Sequence, residues 1–189
     1  TATMRRFLLL IAAVIVVSQL AEAAKPLAIG SRLEPFIDLY LVESFAGNAE
    51  LVMHRPKPAE VVLVTGKPWE GNTSAYYTIF RDEDRLRMYY RGSHADPTMK
   101  ATHREVTCYA ESRDGIRWTK PELGLFEFEG SKKNNIVWMG PGSHNFAPFL
   151  DENPKCPADQ RYKALAGSFR VGLWAYVSSD GKRFKKMQE

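Results

Sequence analysis

The pattern Ser-x-Asp-Gly-x-x-aromatic occurs twice, as Ser112-Arg113-Asp114-Gly115-Ile116-Arg117-Trp118 and as Ser178-Ser179-Asp180-Gly181-Lys182-Arg183-Phe184. Asp-Gly followed by an aromatic fits a β turn, because Gly takes the positive φ such turns require. Each copy follows a similar run, Val106-Thr107-Cys108-Tyr109-Ala110 and Leu173-Trp174-Ala175-Tyr176-Val177. The chain is therefore expected to repeat one β unit. The positions of its loops decide where function can sit.

The rest of the unit follows from alternation. Tyr76 to Phe80 is aromatic and β-branched, Asp82-Glu83-Asp84 is a turn, and Leu86 to Tyr90 returns as a second strand. A long polar loop, Gly92 to Glu105, leads to a third strand over Val106 to Glu111. The fourth strand is either Phe126-Glu127-Phe128 or Asn135-Ile136-Val137-Trp138. After Gly140-Pro141-Gly142 the order repeats, with Phe146 to Leu150, Arg161 to Ala166, Leu173 to Val177 and the second Asp-Gly turn. Ahead of the repeats, Leu51-Val52-Met53 and Val61-Val62-Leu63-Val64 read as short strands, and Pro56 and Pro58 bar a helix between them.

Four-stranded units repeating at about 65–70 residues point to an all-β fold of propeller blades. Two blades cannot close a ring and would leave exposed edges. The chain is thus expected to be an N-terminal fragment, with an incomplete second blade. Residues 1–23 are upstream residues and a signal peptide, 24–65 lead-in strands, 66–138 blade one and 139–189 blade two. A complete two-sheet β domain is the alternative.

The N-terminus reads as an export signal. Arg5 and Arg6 precede the apolar run Phe7 to Val17, which is too short for a membrane span, and Ala21-Glu22-Ala23 places cleavage before Ala24. The expected location is secreted or periplasmic, with no stable membrane insertion after cleavage. Net charge is +4, but the basic residues form neither a stripe nor a nucleic-acid motif, so nucleic acid is not expected as a partner. The two cysteines, Cys108 and Cys156, read more readily as free thiols than as a pair.

In a blade, the segments entering the innermost strands share one face with the loops between strands two and three. That mouth face here comprises Trp69 to Ala75, Gly92 to Glu105, Met139 to Asn145 and Gly167 to Gly172. It gathers three of the four histidines, His94, His103 and His144, together with Trp69, Glu70, Asn72, Asp96, Glu105 and Asn145. Ligand sites collect at such mouths, on loops held by a rigid scaffold. Glu70 and Asp96 are the candidate catalytic carboxylates. Trp69, Asn72, His94, His144 and Asn145 are the candidate substrate-binding residues. The histidine spacings match no metal-ligand pattern, so neither metal nor cofactor is expected. Asp114 and Asp180 lie on the opposite face and read as turn residues. Arg81, Arg87 and Arg91 are candidates for a cationic channel cluster, but alternation puts Arg87 and Arg91 on one strand face, which reads equally well as a solvated surface.

The Ser-x-Asp-Gly-x-x-Trp hairpin, the Arg-Met-Tyr-Tyr second strand and the export signal together resemble the five-bladed β-propeller glycoside hydrolases of families 32 and 43. The likeness covers roughly Trp69 to Phe184. It implies a funnel at the mouth face, a poly- or oligosaccharide substrate and hydrolysis by carboxylates. In family 32 the nucleophile is an Asp at the start of the first inner strand. The matching stretch, Thr73-Ser74-Ala75-Tyr76, has none. Glu70 is the nearest carboxylate and Asn72 the nearest polar substitute, with Asp38 and Asp96 as other candidates; the general acid belongs to later blades. A non-catalytic glycan-binding propeller is the first alternative. A sialidase-like hydrolase is the second, because the turn is reminiscent of the sialidase Asp-box, though its Gly follows the Asp directly.

Overall fold

The computed structural model of the chain describes residues 25–170 and 172–187. The expected signal segment and its cleavage point before Ala24 lie outside the described residues. The chain divides into two units, Thr1–Lys57 and Pro58–Glu189. The described part of the first unit holds turns but no strand or helix. Among these turns, Asp38 Oδ1 accepts the Tyr40 backbone N–H at 2.9 Å. Leu51-Val52-Met53, expected as a strand, joins no strand among the described residues.

The second unit is all-β and holds two four-stranded antiparallel sheets. Sheet 1 runs β1 (Ala75–Asp82), β2 (Arg85–Gly92), β3 (Val106–Ser112) and β4 (Ile136–Trp138), each beside the next. Sheet 2 repeats this order with β5 (Ala147–Leu150), β6 (Tyr162–Ser168), β7 (Gly172–Ser178) and β8 (Lys185–Lys186). Of the two candidates for the fourth strand, the Ile136 run wins: Phe128 makes only an isolated bridge to Ser131, whereas Ile136 pairs with Cys108. Val61 to Val64 is not a strand. Instead Leu63 packs on the core of sheet 1, and the Val64 carbonyl accepts Lys120 Nζ at 2.6 Å.

The two Asp-Gly turns are built alike. Ser112 Oγ accepts the backbone N–H groups of Asp114 and Gly115, and Asp114 Oδ1 accepts those of Ile116 and Arg117. Ser178 and Asp180 do the same for Asp180, Gly181, Lys182 and Arg183. Backbone hydrogen bonds hold the Asp114 carboxyl at about 2, as expected for a turn carboxylate saturated with N–H donors.

β2 is buried on both faces because each side meets its own core. Met88 and Tyr90 join Cys108, Ala110 and Ile136 under Leu63, Trp69, Trp118, Phe126 and Phe128. Tyr89 faces the other way, with Tyr109 and Val137, and meets Phe80 and Phe184. Phe184 also packs on Phe146 of the sheet 2 core, at 5.1 Å between ring centroids, so the aromatic of the second turn wedges between the sheets.

A polar clasp reinforces this seam. Arg87 Nε donates to Asp82 Oδ2 at 2.6 Å, Nη1 to the Asp180 carbonyl at 2.8 Å and Nη2 to the Tyr162 hydroxyl at 3.1 Å. The Tyr162 hydroxyl donates to Asp82 Oδ2, and the Tyr89 hydroxyl donates to the Gly181 carbonyl at 2.8 Å. Arg87 is only 9% exposed, so its solvated-surface reading does not hold. Gly181, at φ +71, has no alternative here: a Cβ would stand 2.8 Å from Arg87 Nη1 and 2.9 Å from the Tyr89 hydroxyl.

Candidate functional site

The face expected to form a channel mouth is assembled from the lead-in to β1. A buried chain of hydrogen bonds fixes that lead-in. Trp69 Nε1 donates to Asn135 Oδ1 at 2.7 Å, Asn135 Nδ2 donates to the Tyr90 hydroxyl at 3.0 Å, and that hydroxyl donates to Glu70 Oε1 at 2.5 Å. Lys120 Nζ pairs with the same Glu70 oxygen at 2.5 Å, while Glu70 Oε2 accepts the Lys67 backbone N–H. Glu70 is 0% exposed. Both its oxygens are occupied, so it presents no open carboxylate and ties the lead-in to the core. Burial, followed by its neighbours, drives the Tyr90 hydroxyl well above its ordinary range, which keeps it a donor.

Asn72 continues the anchoring. Its amide pairs both ways with the Ala95 backbone, each bond at 2.9 Å, and imitates a rung of a sheet. Asp96 closes the loop beyond: Oδ1 accepts the Thr98 N–H, the Thr98 hydroxyl and the Lys100 N–H. The Thr98 hydroxyl above all holds that carboxyl below its ordinary range. His94 bonds the Thr102 hydroxyl at 2.8 Å, and His103 packs edge-on against Phe128. These side chains hold the β2–β3 loop in shape, and none of their polar contacts involves His144. Among the described residues no group of three His, Cys, Asp or Glu side chains is placed to hold a metal. The two cysteines are not joined; Cys108 is buried in the core of sheet 1.

The open cluster of the face lies where the two sheets meet. His144 stands on the linker before β5. Its Nδ1 lies 3.0 and 3.1 Å from the two Glu105 oxygens, and its Nε2 lies 3.2 Å from the Tyr76 hydroxyl. The carboxylate at Nδ1 selects the Nδ1–H tautomer and leaves the Nε2 lone pair for the phenol O–H. Arg91 Nη1 is nearly equidistant from the two ring nitrogens, at 3.1 and 3.3 Å, and so points squarely at neither. The same guanidinium lies 3.6 Å from Glu105, 4.8 Å from the Tyr76 ring centroid, and donates to the Thr73 carbonyl at 3.0 Å.

Tyr76 reaches His144 because β1 is irregular. The β1–β2 register shifts between Ala75 and Thr78, and Tyr76 sits at φ +57. A bulge re-aims a side chain, and a left-handed conformation on a bulky aromatic costs roughly 1–2 kcal/mol. Beside the cluster, His144 and Asn145 line a cleft of about 720 Å³ with Gly167, Ser168, Phe169 and Leu173. Asn145 Oδ1 accepts the Gly167 N–H at 3.2 Å, which fixes one wall.

Of the sequence candidates, His144 and Asn145 thus share a cleft, whereas Glu70, Asn72, Trp69, His94 and Asp96 build the frame. In sequence, Glu105 falls on the mouth face, Tyr76 counts with Trp69 among the channel aromatics of the glycan-binding alternative, and Arg91 reads equally well as a solvated face, but none of the three carries a catalytic or substrate-binding assignment. Loop position alone marks Glu105, but a bulge that turns Tyr76 toward it leaves no mark in the residue pattern. No family model matches the chain, and the search of curated proteins finds no significant match either.

Proposed function

We propose that this is an exported carbohydrate-active protein whose mouth face takes a glycan, and that the two sheets are blades of a β-propeller. The observation that carries the glycan reading is the composition of one surface. The exposed Tyr76 ring adjoins His144, Arg91 and Glu105, and the cleft beside them adds Phe169, Leu173 and Asn145. Sugars are held by aromatic faces flanked by planar polar groups, which is what this surface offers.

The propeller reading draws on the strand-for-strand repeat and on the outer face of sheet 2. There Phe149 and Leu165 are each 44% exposed. A further sheet packed as sheet 2 packs on sheet 1 would cover them. Five blades and hydrolysis of O-glycosyl bonds are what the family resemblance adds.

A non-catalytic glycan-binding propeller is the second reading. It is favoured by the full engagement of Glu70 and by the turn-closing role of Asp96, the two candidate catalytic carboxylates of the mouth face.

Titration calorimetry of the exported chain against a panel of plant and algal oligosaccharides tests the proposal. Binding by one class, weakened at least about tenfold by Tyr76→Ala and by Asn145→Ala, is the expected result; such a loss marks the few residues that carry most of the binding energy. Absence of binding across the panel, or binding indifferent to both substitutions, overturns it. Release of new reducing ends from the bound class separates the hydrolase from the binder.

A further inference from the structure

We infer that Tyr76 is a base-activated nucleophile, with His144 as its general base, Glu105 as the group that orients the imidazole, and Arg91 as the cation facing the developing phenolate. The arrangement has the parts that nucleophilic catalysis needs: a hydroxyl in reach of a base, and the base held by a third group. The distances are 3.2 Å from the Tyr76 hydroxyl to His144 Nε2 and 3.0 Å from Nδ1 to Glu105.

Three further observations favour this over a decorative surface cluster. Tyr76 is held in a left-handed conformation at a bulge, and such strain concentrates where a side chain has been re-aimed for use. The Arg91 guanidinium faces the Tyr76 ring, and its Nε finds no partner among the described residues. The cluster adjoins the cleft that His144 lines, so an electrophile bound there would lie beside the phenol.

Tyr77 supplies an internal control. It is 49% exposed against 54% for Tyr76. It stacks on Tyr90 at 5.6 Å, with no His144 or Arg91 contact. Burial and the Glu70 charge push its hydroxyl above the ordinary range, which disfavours its phenolate.

The step is as follows. The Tyr76 oxygen attacks an electrophilic carbon, the bond from that carbon to its leaving oxygen breaks, and the phenol proton passes to His144 Nε2. The imidazolium returns that proton to the leaving oxygen. Water then reverses the sequence, with His144 again as base, and frees Tyr76. In the glycan reading, on which this substrate class rests, the electrophile is an anomeric carbon. Activation of Tyr76 does not depend on that reading.

The test uses the full chain and an aryl sulfonyl fluoride, in which the tyrosine oxygen displaces fluoride from sulfur while the base takes the proton. Peptide mass spectrometry follows modification of Tyr76 and Tyr77 in the same sample. The expected result is Tyr76 reacting at least about a hundredfold faster than Tyr77, the lower end of what a positioned general base contributes. His144→Gln should lower the Tyr76 rate at least about tenfold, toward that of Tyr77, and Glu105→Gln should lower it part way. Equal rates in the unaltered protein overturn the inference without any variant, and so does a ratio unchanged in His144→Gln. Neither outcome bears on whether the face binds glycan.

Discussion

The two sheets carry the same ion pair at equivalent positions and put it to different uses. Leu86 pairs with Ser112, and Tyr162 pairs with Ser178, so the register aligns Arg87 with Lys163 and Tyr89 with Leu165. Arg81 pairs with Leu86 and Leu150 with Tyr162, which aligns Asp82 with Asp151. Each first strand is thus followed or closed by a carboxylate that grips a cation on the second strand: Asp82 with Arg87, Asp151 with Lys163. In sheet 1 the pair is covered by sheet 2, and Arg87 spends its remaining donors on the Asp180 carbonyl and Tyr162. In sheet 2 Lys163 has no such cover. The comparison teaches that the local pair is a property of the repeat, while its worth depends on whether another sheet lies on top.

The sharpest way to break this comparison is to remove the two cations in turn. Arg87→Ala leaves the buried Asp82 with only Arg161 and the Tyr162 hydroxyl, and should cost about 3 kcal/mol in denaturant unfolding, the low end for a broken buried pair. Lys163→Ala should move the midpoint very little, because water replaces the lost partner. Equal losses would sink the claim that the seam sets the value of the pair.

Exchange of the aromatic should come next in size. Tyr89→Leu makes sheet 1 resemble sheet 2 at that position. It removes the hydroxyl bond to Gly181 and the stacking on Phe80, and should cost roughly 1–3 kcal/mol. Leu165→Ala removes a side chain that is already 44% exposed, and should cost less than about 1 kcal/mol. A large loss there would mean that sheet 2 has cover on its outer face.

How far the sequence reveals these differences depends on whether the partner is near in the chain. The Asp-Gly turns, β2, β3, β6 and β7 are legible because alternation and turn chemistry are local. Ile136 to Trp138 over Phe126 to Phe128 is not, since both runs are apolar and only pairing with Cys108 decides between them. Leu51 to Met53 and Val61 to Val64 have strand-like composition but no ladder to join. Glu70 beside Gly71 looks the same in sequence whether it faces water or core. Its placement is decided by Tyr90 and Lys120, which only the fold brings to it. Arg87 is the same case: alternation gives its face, and sheet 2 decides that this face is buried.

The acid limb of stability probes the two carboxylates. Burial pushes the Asp82 carboxyl up, but hydrogen bonds from Tyr162 and Arg87 and the charges of Arg87 and Arg161 outweigh it, leaving the group below its ordinary value. A carboxyl lowered by folding stabilises the protein above its unfolded value, near 3.9, and that contribution disappears as pH falls through the folded value. Unfolding measured from pH 6 downward should therefore show stability lost from about pH 4. Folding lowers both carboxyls, so Asp82→Asn and Asp151→Asn should each flatten that slope. A slope flattened by Asp82→Asn alone would mean that solvent screens the exposed Asp151–Lys163 pair.

The smallest effect tests the mouth ends of the first strands, where β1 has a register shift and β5 has none. Tyr76→Gly removes a large side chain, a cation–π contact and the hydrogen bond to His144, yet it also releases the left-handed strain of that position. The losses are about 1 kcal/mol for partly exposed contacts, and the relief is of similar size. Net stability should therefore stay within about 1 kcal/mol of the parent. Tyr77→Gly, at a position of ordinary φ, gains no relief and loses its stacking on Tyr90, so it should be the more damaging of the two. If Tyr76→Gly destabilises as much as its neighbour, the bulge is held for packing. If it costs almost nothing, the fold has no need of a tyrosine there, and the strain is carried for what Tyr76 does beside His144.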